Sequence, residues 1–260
     1  MSNPSPLLID RLLVPAWEQH SYWIFDLDGT LLDFAPQPDA VEVPSSLLSD
    51  LAELSRRVEH RVAVISGRAL QDLERLIPLS ALQLAGNHGA EWRVDGHYGQ
   101  VSFPAAVKDT WAVVRQQCKH LVASVPGVML EDKGFTCTLH VRQLDRAARE
   151  KVKEELARVT SSLPGIALRP AAHAWELYPT FCPNKGTMVR KLLSPMPPTV
   201  RPYVFGDDWT DEDSFLAAPH GVTVVVGNRR PTAARYALPH PAALRSLLHE
   251  VARHHRLSKD

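Results

Sequence analysis

The stretch Tyr22-Trp23-Ile24-Phe25-Asp26-Leu27-Asp28-Gly29-Thr30-Leu31-Leu32 decides how the chain folds. It opens on four aromatic or β-branched residues without a polar break, the pattern of a parallel strand covered on both faces. The run stops at two carboxylates two residues apart, Asp26 and Asp28, and Gly29-Thr30 follows. Two acids at the exit of a buried strand repel each other and lose hydration, so something positive must sit beside them. A divalent cation is the economical answer. Acids that merely cap the next helix are the plainer alternative, but the strand-then-turn context favours the ion.

Working outward, the same pattern recurs. Residues 45–54 space their leucines as a helix behind a serine cap. A second apolar strand over 61–65 runs into Ser66-Gly67-Arg68, and a helix over 70–76 follows. A third strand over 82–85 ends at Gly86-Asn87-His88-Gly89-Ala90-Glu91. This β-α-β-α-β order predicts a parallel sheet with right-handed crossovers. The pattern resumes late in the chain. Asn184-Lys185-Gly186-Thr187 opens a helix, and a strand over 202–205 ends in Gly206-Asp207-Asp208. Another helix starts near Asp211, and 221–226 is the last clear strand. Residues 233–236 and 241–253 are expected to complete the helical layer.

The middle of the chain reads differently. A hairpin is expected around Asp95-Gly96. Helices over 107–125 and 144–163 alternate with short antiparallel strands over 128–131, 136–141, 167–168 and 174–178. The fold class expected is therefore α/β, a Rossmann-like parallel-sheet core with an inserted smaller α+β cap domain. The core is discontinuous, 1–103 and 179–260, and the cap spans 104–178.

Composition narrows the function. Lys plus Arg and Asp plus Glu number 29 each, and no dense basic run occurs, so no nucleic-acid partner is expected. The first ten residues lack a basic region before their apolar patch, which argues against a secretory signal. No stretch has the apolar length of a membrane span, so no membrane partner is expected. The three cysteines lack metal-site spacing and read as thiols of a cytoplasmic protein. Residues 34–44 are too proline-rich for a helix.

Asp26, Ser66 and Asp207 each lie just past the carboxyl end of a buried strand, and Lys185 lies at a helix N-terminus. In an open parallel sheet these ends line one crevice, where ligands bind. Ser66 alone is commonly a helix cap, and Lys185 alone a solvated lysine; their agreement carries the argument. Asp26 and Asp207 offer hard oxygen ligands suited to Mg2+. Ser66, the amides of Leu27 and Asp28, and Lys185 can donate to phosphate oxygens, with Gly67 beside them. Asp26 can attack phosphorus, and Asp28 can protonate the leaving oxygen and later deprotonate water. Thr30 is expected to support the turn by hydrogen-bonding near Asp28.

The segments Asp26-Leu27-Asp28-Gly29-Thr30-Leu31, Ser66-Gly67-Arg68, Lys185 and Gly206-Asp207-Asp208 resemble the four motifs of the haloacid dehalogenase-like phosphatases. The resemblance implies magnesium, held by Asp26, the Asp28 carbonyl and Asp207, and an aspartyl-phosphate intermediate. It makes Asp208 and Asp211 groups that orient metal waters or Lys185. It also implies a cap that closes over a small-molecule substrate. Gly86-Asn87-His88-Gly89-Ala90-Glu91, Glu131-Asp132-Lys133-Gly134, His140-Val141-Arg142, Trp175-Glu176-Leu177 and Gly206-Asp207-Asp208-Trp209-Thr210-Asp211-Glu212 are similar to the trehalose-6-phosphate phosphatase family. Val141 departs from it, since an aromatic residue is common there. That likeness implies a sugar-phosphate substrate bound by Asn87, His88, Glu131, Lys133, Arg142 and Glu176, the last four reading the disaccharide hydroxyls.

Neutral hydroxyls need charged or bidentate partners to be told from water, and Glu131 and Lys133 share one face of an extended segment. An exposed strand pair with a cross-strand ion pair is the bland alternative. Two further readings stay open. One keeps the chemistry and changes the substrate to sucrose phosphate, a glucosyl- or mannosyl-phosphoglycerate or a hexose monophosphate. The other is a sugar-phosphate-binding module without turnover, against which the full set of nucleophile, acid/base, lysine and metal carboxylates speaks.

Overall fold

The computed structural model describes residues 7–8, 20–34, 41–171, 173–227 and 231–257. Most of the N-terminal segment and residues 35–40 of the proline-rich stretch lie outside them. The chain divides into two compact units, Met1–Gly99 with Pro183–Asp260, and Gln100–Cys182.

In chain order the elements are β1 (Leu7–Leu8), β2 (Ser21–Phe25), α1 (Ser45–Ser55), β3 (His60–Ile65), α2 (Leu70–Leu76), β4 (Gln83–Gly86), β5 (Glu91–Val94) and β6 (His97–Gln100). There follow α3 (Ala105–Ser124), β7 (Met129–Asp132), β8 (Cys137–His140), α4 (Arg146–Ser162), β9 (Ile166–Ala171) and β10 (Ala174–Pro179). The chain then returns through α5 (Lys185–Leu193), β11 (Arg201–Gly206), α6 (Trp209–Ala217), β12 (Val222–Val226), β13 (Tyr236–Leu238) and α7 (Pro241–Leu257).

The first unit is built on a nine-stranded sheet ordered β1-β13-β12-β11-β2-β3-β4-β5-β6, in which β2 lies between β11 and β3. Its pairings are parallel from β1 through β4, and β5 joins antiparallel. All five residues of β2 are buried, as an uninterrupted apolar strand requires. Trp23 and Phe25 face the helices α1 and α7, whose Leu51, Leu54, Leu244 and Leu248 join the same cluster. Trp23 stacks on Tyr203 with ring centroids 4.6 Å apart. Tyr22 and Ile24 point the other way, among Met188 and Val189 of α5 and Phe215 of α6. Burial of such side chains contributes about 1.5–3 kcal/mol each, which fixes the strand ends that carry the acids.

Residues 233–236 do not form the helix expected. Tyr236–Leu238 is a strand running parallel to β12, with Val226 opposite Leu238 and the Arg235 amide donating to the Thr223 carbonyl at 3.0 Å. Ala237 and Leu238 are buried against the sheet, and that burial overrides the helical preference of the two alanines before it.

The second unit is a four-stranded antiparallel sheet ordered β7-β8-β10-β9. Helices α3 and α4 pack on one face, bringing Trp111, Val114, Val152 and Leu156 against Cys137, Leu139 and Leu177. Its limits fall a few residues outside 104 and 178. Phe103 stacks on Phe135 with centroids 5.2 Å apart and meets Phe181 edge-on at 5.2 Å, which ties both connecting segments to this unit.

Candidate active site

The register of β11 and β2 sets the site. Phe205 lies opposite Phe25, and the Asp26 amide donates to the Phe205 carbonyl at 2.9 Å. Asp26 and Asp207 therefore leave adjacent strands together. The chain then turns on the Leu27 carbonyl, which accepts from the amides of Leu31 and Leu32 at 3.0 and 2.9 Å. Gly29 has φ +87°, and a Cβ there would lie 2.2 Å from Asp207 Oδ2, so only glycine fits. The Thr30 hydroxyl donates to Asp207 Oδ1 at 3.2 Å. This corrects the expectation that Thr30 bonds near Asp28: backbone bonds already close the turn, which leaves the hydroxyl for the Asp207 carboxylate.

Lys185 is the first residue of α5, whose cap is the Asn184 side chain accepting from the Thr187 amide at 2.8 Å. The helix start can come this close to α6 because residue 186 is glycine; a Cβ there would meet the Asp213 carbonyl oxygen at 2.3 Å. Lys185 Nζ donates to Asp26 Oδ1 at 2.6 Å and to Asp211 Oδ1 at 2.8 Å, all three groups being buried. Asp211 Oδ2 accepts from the amides of Asp207 and Asp208 at 3.2 and 3.1 Å. The Asp208 carboxylate caps α6 in return, accepting from the Trp209 amide at 2.6 Å. Asp211 thus aims the lysine and holds the Asp207-Asp208 turn.

Asp28 takes a different partner from Asp26. Arg68 donates to both its oxygens, Nε to Oδ2 at 2.7 Å and Nη2 to Oδ1 at 2.8 Å. Ser66 is buried past β3, with its hydroxyl accepting from the Arg68 amide at 3.2 Å, and Gly67 lies against the His88 ring. Asn87 and His88 are both left-handed, φ +48° and +57°. Non-glycine residues reach that region only when their surroundings hold them there. Asn87 is itself buried, its amide nitrogen donating to Glu91 Oε1 at 2.7 Å, and the same oxygen accepts from the Leu70 amide at the start of α2.

One oxygen each from Asp26, Asp207 and Asp211 lie within 4.8 Å of one another. Burial, outweighing Lys185 nearby, pushes the Asp26 carboxyl up to about 7, and burial together with the charge of Asp26 pushes Asp207 up to about 9. Burial works against the charge of Lys185, but Asp211 and Asp26 more than offset it and hold its pKa above the ordinary lysine value. Two neighbouring acids that resist ionisation, Asp26 and Asp207, suit a hard divalent cation. Both Asp211 oxygens meet donors, whereas Asp26 and Asp207 each meet one through Oδ1, so these two are the carboxylates that could offer their other oxygen to it.

A pH dependence follows. The two acids keep protons in the folded state that the unfolded chain releases near 4, so the folded state binds more protons between there and about 9. Stability without divalent cation is expected to fall as pH rises through about 7 and about 9. A bound cation displaces those protons, so the rise in Tm on adding magnesium should be larger at pH 9 than at pH 6. Thermal melts with magnesium or chelator measure this; an equal rise at both values would contradict it.

In the second unit, Glu131, Lys133 and Glu176 are brought together. Lys133 Nζ lies 3.7 Å from Glu131 Oε2 and 3.8 Å from Glu176 Oε1. His140 Nε2 is 2.9 Å from Glu131 Oε2. Arg169 grips Glu176 Oε2 through Nε at 2.6 Å and stacks on the Tyr178 ring at 4.5 Å. Arg142 stands exposed just past β8, its carbonyl accepting from Arg149 Nη2 at 2.8 Å. Arg68 and Arg169 were not among the sequence candidates.

The parallel sheet with acids at its strand ends is the fold of the haloacid dehalogenase-like hydrolases, one of which, from Bacteroides thetaiotaomicron, superposes with a TM-score of 0.65 at 15% identity over 90% of this chain and all of its own. A second solved structure, the C-terminal domain of Candida albicans trehalose-6-phosphate phosphatase, gives a TM-score of 0.83 at 23% identity, covering 96% of this chain and 99% of that one. Within that class the chain belongs to the trehalose-phosphatase family, whose model matches residues 24–242. It is 36% identical over 210 residues to the trehalose-6-phosphate phosphatase of Escherichia coli K12, covering 79% of this chain and 77% of that protein. It is 36% identical over 246 residues to the trehalose-phosphate phosphatase of Mycobacterium tuberculosis H37Rv, covering 88% of this chain but only 60% of the relative's length. Among the described residues no helix is long and apolar enough to cross a membrane.

Proposed function

We propose that this protein hydrolyses trehalose 6-phosphate to trehalose and phosphate, using magnesium. The observation that carries the chemistry is the cluster of buried Asp26, Lys185 and Asp211 with half-buried Asp207, in which one carboxylate oxygen of Asp26 is pinned by a lysine. Asp26 and Asp207, with the Asp28 carbonyl, would hold the cation. When bound, it neutralises the carboxylates so that a phosphate can approach and polarises the phosphoryl oxygens. Lys185, Ser66 and the amides of Leu27 and Asp28 donate to those oxygens, with Gly67 beside them.

Asp26 attacks phosphorus, the ester P–O bond breaks, and Asp28 gives the departing sugar oxygen its proton. Asp28 then takes a proton from water as that water attacks the aspartyl-phosphate, which releases inorganic phosphate and restores Asp26. Arg68 fixes the direction of Asp28 between these transfers. Asp211 aims Lys185, and Asp208 secures the turn that carries Asp207. Residues of the second unit, Glu131, Lys133, Arg142 and Glu176, select the sugar; Asn87 and His88 shape the loop beside Ser66. Membership of the trehalose-phosphatase family supports trehalose 6-phosphate over other sugar phosphates.

Phosphate release from trehalose 6-phosphate tests the reading. It is expected with magnesium and should stop with chelator; release that continues in chelator would overturn the metal-dependent mechanism. Glu176→Ala should lose turnover of trehalose 6-phosphate by about tenfold or more, and far more than turnover of a small generic phosphoester. Equal losses on both would remove Glu176 from sugar selection.

A further inference from the structure

Strand pairing in the second unit lines up one row of residues across the sheet. Glu131 of β7 lies opposite Thr138 of β8, Thr138 lies opposite Glu176 of β10, and Glu176 lies opposite Arg169 of β9. Directly opposed residues in antiparallel strands share a face, so all four project from the same side. The helices α3 and α4 cover the other side, where the neighbours of Thr138 in sequence, Cys137 and Leu139, are wholly buried in the apolar cluster.

The chemistry of this row is uneven. Glu176 is braced by Arg169 at 2.6 Å, and Glu131 by His140 at 2.9 Å. Lys133 Nζ lies 3.7 and 3.8 Å from the two carboxylates, within ion-pair range and beyond direct hydrogen bonds. At the centre is Thr138, 4% exposed, whose hydroxyl has no hydrogen-bond partner among the described residues. A buried hydroxyl left unmatched costs stability, and such a group in a native fold calls for an explanation. Valine would fill the same space without that cost.

We propose that Thr138 is a further specificity-determining residue, its hydroxyl pairing with a sugar hydroxyl held between Glu131 and Glu176. The proposal rests on the disaccharide-phosphate reading above. Charge balance supports an uncharged polyol as the occupant: two carboxylates face the cations of Lys133 and Arg169, so the row offers donors and acceptors without net attraction for the phosphate. Arg169 and His140 hold the two glutamates in direction, and Thr138 supplies a hydroxyl that can both donate and accept.

Trehalose itself, which undergoes no turnover, is the probe. Calorimetric titration of the full chain with magnesium gives its affinity for the parent protein, Thr138→Val and Thr138→Ser, alongside kcat and KM for trehalose 6-phosphate and Tm. Thr138→Val is expected to weaken trehalose binding and raise KM by about tenfold, with a smaller change in kcat and an equal or higher Tm. Thr138→Ser, which keeps the hydroxyl, should bind close to the parent. Parent-like affinity in Thr138→Val with a raised Tm would overturn the contact and leave a merely unsatisfied hydroxyl. Weakened binding in Thr138→Ser with parent-like binding in Thr138→Val would overturn it in favour of packing by the methyl group. A parent protein that binds no trehalose would overturn the disaccharide reading and this contact with it.

Discussion

Asp26→Asn is expected to abolish phosphate release, by about 10³-fold or more, while the protein stays folded. The amide keeps the size of the carboxyl but cannot attack phosphorus. The fold should tolerate it for a reason visible in the site: Asp26 is one of three clustered acids, and its removal ends the burial of one carboxylate and the repulsion that adds to the effect of burial on Asp207. Lys185 keeps Asp211 at 2.8 Å as a partner. Circular dichroism and a cooperative melt within about 5 °C of the parent check the fold. Single-turnover assays that show near-parental release would sink the covalent mechanism.

Lys185→Met should damage both activity and stability. Turnover is expected to fall by about 10²-fold or more, because the ammonium is the charged donor proposed to meet the phosphate. The stability loss follows from what remains. Asp26 and Asp211, 6% and 2% exposed, are left without the cation that both touch. Removing one partner of a buried ion pair costs about 3–5 kcal/mol, or roughly 6–20 °C in Tm for a chain of this size. Protonation of Asp26, whose carboxyl burial already pushes up to about 7, softens that cost, so the loss should be smaller at pH 5 than at pH 8. Magnesium should recover part of it. A variant that melts with the parent at pH 8 without magnesium would show that the buried pair does not support the fold.

The strand-end acids were readable in the sequence because they follow an apolar run whose ends cannot lie elsewhere in a parallel sheet. Asp95-Gly96 likewise marks the β5–β6 hairpin through a turn chemistry that is local in the chain. Partners that are brought together by the fold left no such trace. Arg68 and Asp28 are 40 residues apart, and Lys185 and Asp26 are 159 apart. Lys185 was placed by the helix start that Asn184 caps, whereas an arginine after Ser-Gly reads equally well as solvated.

Arg169 was hidden for a more specific reason. The strand expected over 167–168 stops short of the position opposite Glu176. In the fold β9 runs to Ala171, and its proline is tolerated because β9 is the edge of the sheet, with β10 on one side only. The row through Thr138 depends on the pairings of all four strands, and register is not written in any one of them. The strand Tyr236–Leu238 was missed because two alanines suggested helix, whereas burial beside β12 decided the outcome.

The proposed activity joins phosphoryl transfer to recognition of a disaccharide, and a comparison of sugars tests both. The most direct measurement compares kcat/KM with magnesium for trehalose 6-phosphate, sucrose phosphate, glucosylphosphoglycerate and glucose 6-phosphate. Trehalose 6-phosphate is expected to be preferred over each of the others by about 10²-fold or more, because the wrong sugar leaves buried polar groups unpaired. Glucose 6-phosphate hydrolysed as well as trehalose 6-phosphate would contradict it.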